Sequence, residues 1–110
     1  LFRSSWISAT ATACSIGLGR PAAIGITPVN VLFQADDPGE AAAVTNGSLS
    51  WGTSPTAPTI YHRRANFAAT IGVGIVWTFP RGLIIPASGS VVIFNITASV
   101  AADVNCVIDE

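Results

Sequence analysis

Lysine is absent from this 110-residue chain, and its five basic residues are all arginine. Charge of either sign is scarce. Charged residues make up 10% and the formal net charge is −1, against about 25% charged in an ordinary soluble domain. Five scattered arginines set against six acids form no basic stripe, which argues against a nucleic-acid partner. Sheet proteins commonly guard exposed strand edges with lysine, so its absence predicts that neighbouring chains cover those edges. Lysine-codon depletion in a GC-rich genome would give the same composition. Near-zero net charge and residual apolar surface point independently toward self-association.

Histidine occurs once, at His62. A hydrolytic triad needs a base, an orienting acid and a nucleophile brought together, and a zinc site needs three or four ligands. Neither Cys-x-x-Cys nor His-x-x-x-His spacing is present. The acids Asp36, Asp37 and Glu40 cluster, but without the Asp-x-Asp-x-Asp-Gly spacing of a calcium loop; they read as turn residues. No catalytic, metal-ligating or cofactor-binding residue is assigned, no cofactor is expected, and the chain reads as non-enzymatic. Long apolar runs are also missing. Residues 67–79 are interrupted by Thr70, Gly72, Gly74 and Thr78, short of the ~20 residues of a spanning helix, so no membrane role is expected. The amino terminus lacks the basic region and apolar block of a signal peptide, and the Asn46-Gly47-Ser48 and Asn95-Ile96-Thr97 glycosylation patterns are read as coincidental.

What is present is strand-forming sequence. Short β-branched and aromatic runs are punctuated by Gly and Pro with no amphipathic helical pattern. Residues 6–18 alternate, placing Trp6, Ser8, Thr10, Thr12, Cys14, Ile16 and Leu18 on one face, and read as one strand after an arm at residues 1–5. Further strands are expected at 29–34, 60–67, 74–79, 90–97 and 103–108. Asn46-Gly47 is a hairpin signal, and residues 40–43 are a candidate helical turn. In the strand at 60–67, Tyr61, Arg63, Ala65 and Phe67 share a face, and one of Arg63 and Arg64 is expected to meet a carboxylate. Trp77, Phe79, Val92, Phe94 and Val104 are expected in the core, and Trp51 at the surface.

Seven or eight short strands in residues 6–110 predict an all-β antiparallel β-sandwich, with a jelly roll preferred over an immunoglobulin-like arrangement. Cys14 and Cys106 both fall on apolar faces, as buried small hydrophobes, or as a disulfide if their Cα atoms come within about 7 Å.

The carboxyl-terminal third carries Gly82, Leu83, Pro86, Ala87, Ser90, Asn95, Asp103, Asp109 and Glu110 in a Gly-Leu-x-x-Pro-Ala turn, an apolar strand and a final acidic strand. This pattern resembles small virion proteins of tailed bacteriophages. The resemblance implies a capsid decoration or cement subunit on the virion surface, in the head or tail, assembled in the host cytoplasm. It implies a homo-oligomer, with a trimer favoured, that contacts the major capsid protein through the amino-terminal arm and the sheet edge at 91–93. The alternative is a receptor- or glycan-binding module of a tail fibre or spike, using Trp51 and the loop at 52–59.

Overall fold

Phe2, Ser4, Trp6 and Ser8 are buried and alternate with outward-facing Arg3, Ser5 and Ile7, the period of two that a pleated strand imposes. That strand, β1 (Phe2–Ser8), is the middle of a three-stranded antiparallel sheet, flanked by β6 (Gly74–Phe79) and β8 (Ala102–Ile108). A second antiparallel sheet places β2 (Cys14–Gly19) between β5 (Tyr61–Phe67) and β7 (Val92–Asn95). The other two strands, β3 (Ile26–Leu32) and β4 (Asn46–Thr53), pair with each other. The computed structural model describes residues 2–97 and 99–109, and among them it holds eight strands and no helix. The chain is an all-β antiparallel sandwich, as its punctuated strand pattern predicts.

The sandwich is made by bending. The β1–β2, β5–β6 and β7–β8 connections each carry the chain from one sheet to the other. At the first corner, the Ser8 hydroxyl donates to the Thr10 carbonyl at 2.6 Å and accepts from the Thr10 N–H at 3.3 Å. The corners are tied side by side, the Ala9 N–H donating to the Ala101 carbonyl at 2.9 Å and the Gly72 N–H to that of Ser8 at 2.9 Å. The expectation of one strand over 6–18 is thereby corrected. Residues 9–13 form the corner, because their Ala and Thr side chains offer little to bury while Ser8 turns the backbone. The arm at 1–5 is corrected as well. Phe2 to Ser5 lie inside β1 and pair on both sides; Leu1 lies outside the described residues.

The two inner faces meet in one core. Trp6 stacks on Phe67 with ring centroids 5.0 Å apart, and Phe2 meets Phe79 edge-on at 5.9 Å. Trp77 and Cys14 are buried beside them, and Ile16 and Leu18 have essentially no exposed surface. Full burial of such side chains stabilises by about 1.5–3 kcal/mol each. Phe79, Val92 and Phe94 are only half-buried. Val104 is 47% exposed, against expectation, because it sits on an outer strand of its sheet.

β2 is buried on both faces. The pairing of β2 with β5 steps from Leu18↔Arg63 to Gly19↔Tyr61, so His62 is one residue in excess. Such a bulge moves the following side chain to the opposite face. Tyr61 therefore leaves the face of Arg63, Ala65 and Phe67, and its ring covers Gly17 where any Cβ would stand. Ser15 on that outer face hydrogen-bonds Asn66.

Two local signals lost to long-range pairing. Asn46 and Gly47 do not form a turn but begin β4, opposite Leu32 and Val31; the left-handed φ that a two-residue hairpin loop needs is not adopted there. Residues 40–43 form no helical turn. The preceding Asp37 instead caps a tight turn, accepting from Gly39 N–H at 2.8 Å through its side chain and from Glu40 N–H at 3.1 Å through its carbonyl.

Ser4 is the costly residue of the core. Its buried hydroxyl meets no nitrogen or oxygen partner among the described residues; it faces only the Cys106 thiol across the β1–β8 pairing, a weak hydrogen-bond partner that leaves most of the desolvation cost uncompensated. A buried unsatisfied hydroxyl costs about 1–3 kcal/mol. Ser4→Ala is expected to raise stability by about 1 kcal/mol in urea unfolding; a loss of that size would show that the hydroxyl has a working partner.

Candidate interaction surface

β3 owes its extended form to β-branched Ile26, Val29 and Val31, β4 is held extended by pairing with it, and Pro28 is tolerated because a two-stranded ribbon has open edges. The ribbon is short of a place to hide its apolar side chains. Ile26 is 62% exposed, Val29 63%, Val31 46%, Leu32 80% and Leu49 78%. These residues lie on both sides of the ribbon, since Val29 and Val31 alternate with Ile26 and Leu32 along β3, while Leu49 is the extra residue where the pairing shifts between Val29 and Asn30. An isolated two-stranded ribbon is marginally stable in water, and no Cα of β3 or β4 comes within 8 Å of a Cα in the other six strands.

The base of the ribbon is well anchored. Ala22 N–H donates to the Thr56 carbonyl at 3.2 Å and Thr56 N–H to that of Ala23 at 3.0 Å. Pro55 and Pro58 are buried, and Arg20 Nη2 donates to the Ile84 carbonyl at 2.6 Å. Trp51, expected at the surface, is half-buried because its ring lies over Gly25. Thr27 holds φ at 51°, a left-handed conformation costing a β-branched residue about 1–2 kcal/mol. It stands beside Gly52, whose missing Cβ leaves space for the Thr27 hydroxyl.

The whole molecule shows the same excess of surface. It measures 42 × 28 × 26 Å. Its accessible area is 7256 Å² at 11.3 kDa, where a compact monomer of that mass exposes roughly 5,700 Å². The surplus, about 1,500 Å² on one chain, is close to twice the roughly 800 Å² that each partner contributes to a standard protein interface.

Two open crevices separate the ribbon from the sandwich. The smaller, about 300 Å³, lies between Thr45 and the end of the first sheet at Phe2 and Ile108, with Leu83 to Ile85 along it. The larger, about 610 Å³, runs between Leu49 and Trp51 of β4 and the length of β7. β7 is an edge strand, and its Val-Ile-Phe-Asn sequence carries no charge, proline or bulge of the kind that blunts an edge. It includes most of the edge at 91–93 singled out from the sequence.

The remaining sequence candidates are dispersed. His62 is the exposed bulge residue. Arg63 lies over the Phe79 ring at 4.9 Å and Arg64 over that of Tyr61 at 5.6 Å, so both guanidiniums sit on aromatic faces. Asp36, Asp37 and Glu40 are exposed around their turn. Among the described residues, no three His, Cys, Asp or Glu side chains converge. Residues 79–89 form two tight turns, closed by Gly82 N–H to the Phe79 carbonyl at 2.8 Å and Gly89 N–H to that of Pro86 at 2.9 Å.

Cys14 and Cys106 are free thiols on different sheets. Burial pushes the Cys106 pKa above 9.0, with the Ser4 hydroxyl pulling the other way. The thiol therefore stays protonated at neutral pH, and a protonated thiol is a poor nucleophile. Its raised pKa makes folding favour the protonated form, so its contribution is complete below pH 9 and lost as pH climbs through the folded value. Stability should fall less from pH 8 to 10.5 in Cys106→Val than in the wild type; equal falls would show that Cys106 is not the group responsible.

No family model, curated protein or solved structure matches the chain.

Proposed function

We propose that the chain is a non-enzymatic structural subunit that works by assembling with copies of itself and with a protein lattice, as a capsid decoration or cement protein does. The observation that carries this reading is the β3–β4 ribbon, whose five large apolar side chains are exposed on a surface with almost no charge. Such a ribbon is stabilised when neighbours cover it. Many weak apolar contacts, repeated around an oligomer, bind a lattice far more tightly than any one of them alone. A homotrimer bound to a major capsid protein on the outer face of a virion is the arrangement we favour, and the resemblance of the carboxyl-terminal third supports it.

A jelly-roll course of the chain is part of the same reading. β1 beside β8 and β2 beside β7 support it, since rolling up one long ribbon sets first strand against last and second against second-last; β6 beside β1, β5 beside β2 and β3 beside β4 lie outside that nesting. The second reading, a receptor- or glycan-binding module, draws on the larger crevice, where the half-buried Trp51 ring stands near polar Ser54, Asn95 and Thr97. Immunogold labelling of native particles with an antibody to the purified chain separates the two. Label over the head surface is expected, label at fibre tips would favour the module, and particles without label would overturn the virion assignment.

A further inference from the structure

We propose that the crevice between β4 and β7 is the acceptor for the β3–β4 ribbon of a second copy, so that assembly proceeds by ribbon-into-crevice contacts around a closed ring. The inference rests on the self-assembly reading above and gives it a donor surface and an acceptor surface.

The acceptor offers an unpaired strand edge beside an apolar lining. Hydrogen-bonded strands lie about 4.8 Å apart, whereas no Cα of β4 approaches one of β7 within 8 Å. The two strands are therefore too distant to pair directly. β7 is paired with β2 along one edge only, which leaves its other edge as a template for an added strand. The floor offers apolar contact through Val92, Phe94 and Pro55.

The donor is the same chain's ribbon. Val29 and Val31 are exposed on β3 and are not part of the crevice wall, so they remain available to a neighbour. Low charge on both surfaces removes the usual electrostatic barrier to like-with-like contact. Area favours a second copy over a small ligand. The surplus of about 1,500 Å² per chain, taken against the compact-monomer expectation, fits one donor and one acceptor face at about 800 Å² each. A ring in which every subunit gives one face and receives one uses both.

A two-variant mixing experiment tests this. Val29→Lys disables the donor but leaves the crevice intact, and Phe94→Asp does the reverse. Ser54→Arg, at an exposed rim position, is the second acceptor variant in case Phe94→Asp does not fold. Each variant alone should sediment as a monomer. An equimolar mixture of donor and acceptor variants should restore one contact and sediment as a 1:1 heterodimer. Acceptor variants that still assemble, or a mixture that stays monomeric, would overturn the ribbon-into-crevice contact. A wild-type chain that is itself monomeric would overturn the self-assembly reading beneath it.

Discussion

Replacing Trp6 with alanine is expected to cost about 3–5 kcal/mol of stability, the range for a buried Trp or Phe truncated in a packed core. Trp6 is 2% exposed and stacks on Phe67 across the sandwich. It also stands in register with Ile75 on one side and Val104 on the other, so few side chains could relax into the space it leaves. A domain of this size has about 5–15 kcal/mol in total, which makes this one residue a large share. Each kcal/mol moves the Tm of a domain near 100 residues by about 4–8 °C, so a fall of roughly 12–40 °C is expected by circular dichroism. A Tm within a few degrees of wild type would mean that the core does not centre on Trp6. Deleting residues 1–5 should be as damaging, because it removes buried Phe2 and the pairing that Phe2 to Ser5 give to both β6 and β8.

The opposite signature is expected on the ribbon. Leu32 and Leu49 are 80% and 78% exposed, so the double substitution Leu32→Lys/Leu49→Lys should leave stability within about 0.5 kcal/mol per site, as surface changes do. Assembly should be lost. Burying a leucine is worth about 1.5–3 kcal/mol, and each 1.4 kcal/mol is about tenfold in affinity. Two such losses, with two ammonium groups to desolvate, should weaken self-association by at least about a hundredfold. Sedimentation velocity would read this as a shift to monomer at concentrations where the wild type is associated. A folded variant that sediments with the wild type would remove the ribbon from the interface.

The inner faces were legible in the sequence because a period of two survives any tertiary context. Cys14, Ile16 and Leu18 fall where their alternation puts them, and Phe2 and Ser4 extend the face of Trp6 by the same rule, which identifies β1 in place of an arm. The partners were not legible. Val29 and Val31 alternate with Asn30 and Leu32 whether their strand lies in a sheet or in a bare ribbon, so the pattern is silent on what covers it. Asn46-Gly47 favours a hairpin locally, yet pairing with Val31 and Leu32 decides the matter. Tyr61 changes face because of one bulge residue, His62, whose excess shows only against β2. No charged residue stands on β7, β3 or β4, so neither the β7 edge nor the ribbon carries the charge that keeps strands apart.

The most direct measurement is the mass of the wild-type chain in solution. Interfaces of standard size bind from the micromolar range downward. Sedimentation equilibrium at about 100 µM, well above a micromolar Kd, should therefore return a defined oligomer. The favoured result is a trimer, three times the 11.3 kDa of one chain. A monodisperse monomer at that concentration would contradict the account, because the ribbon and its crevices would then face water in the working protein.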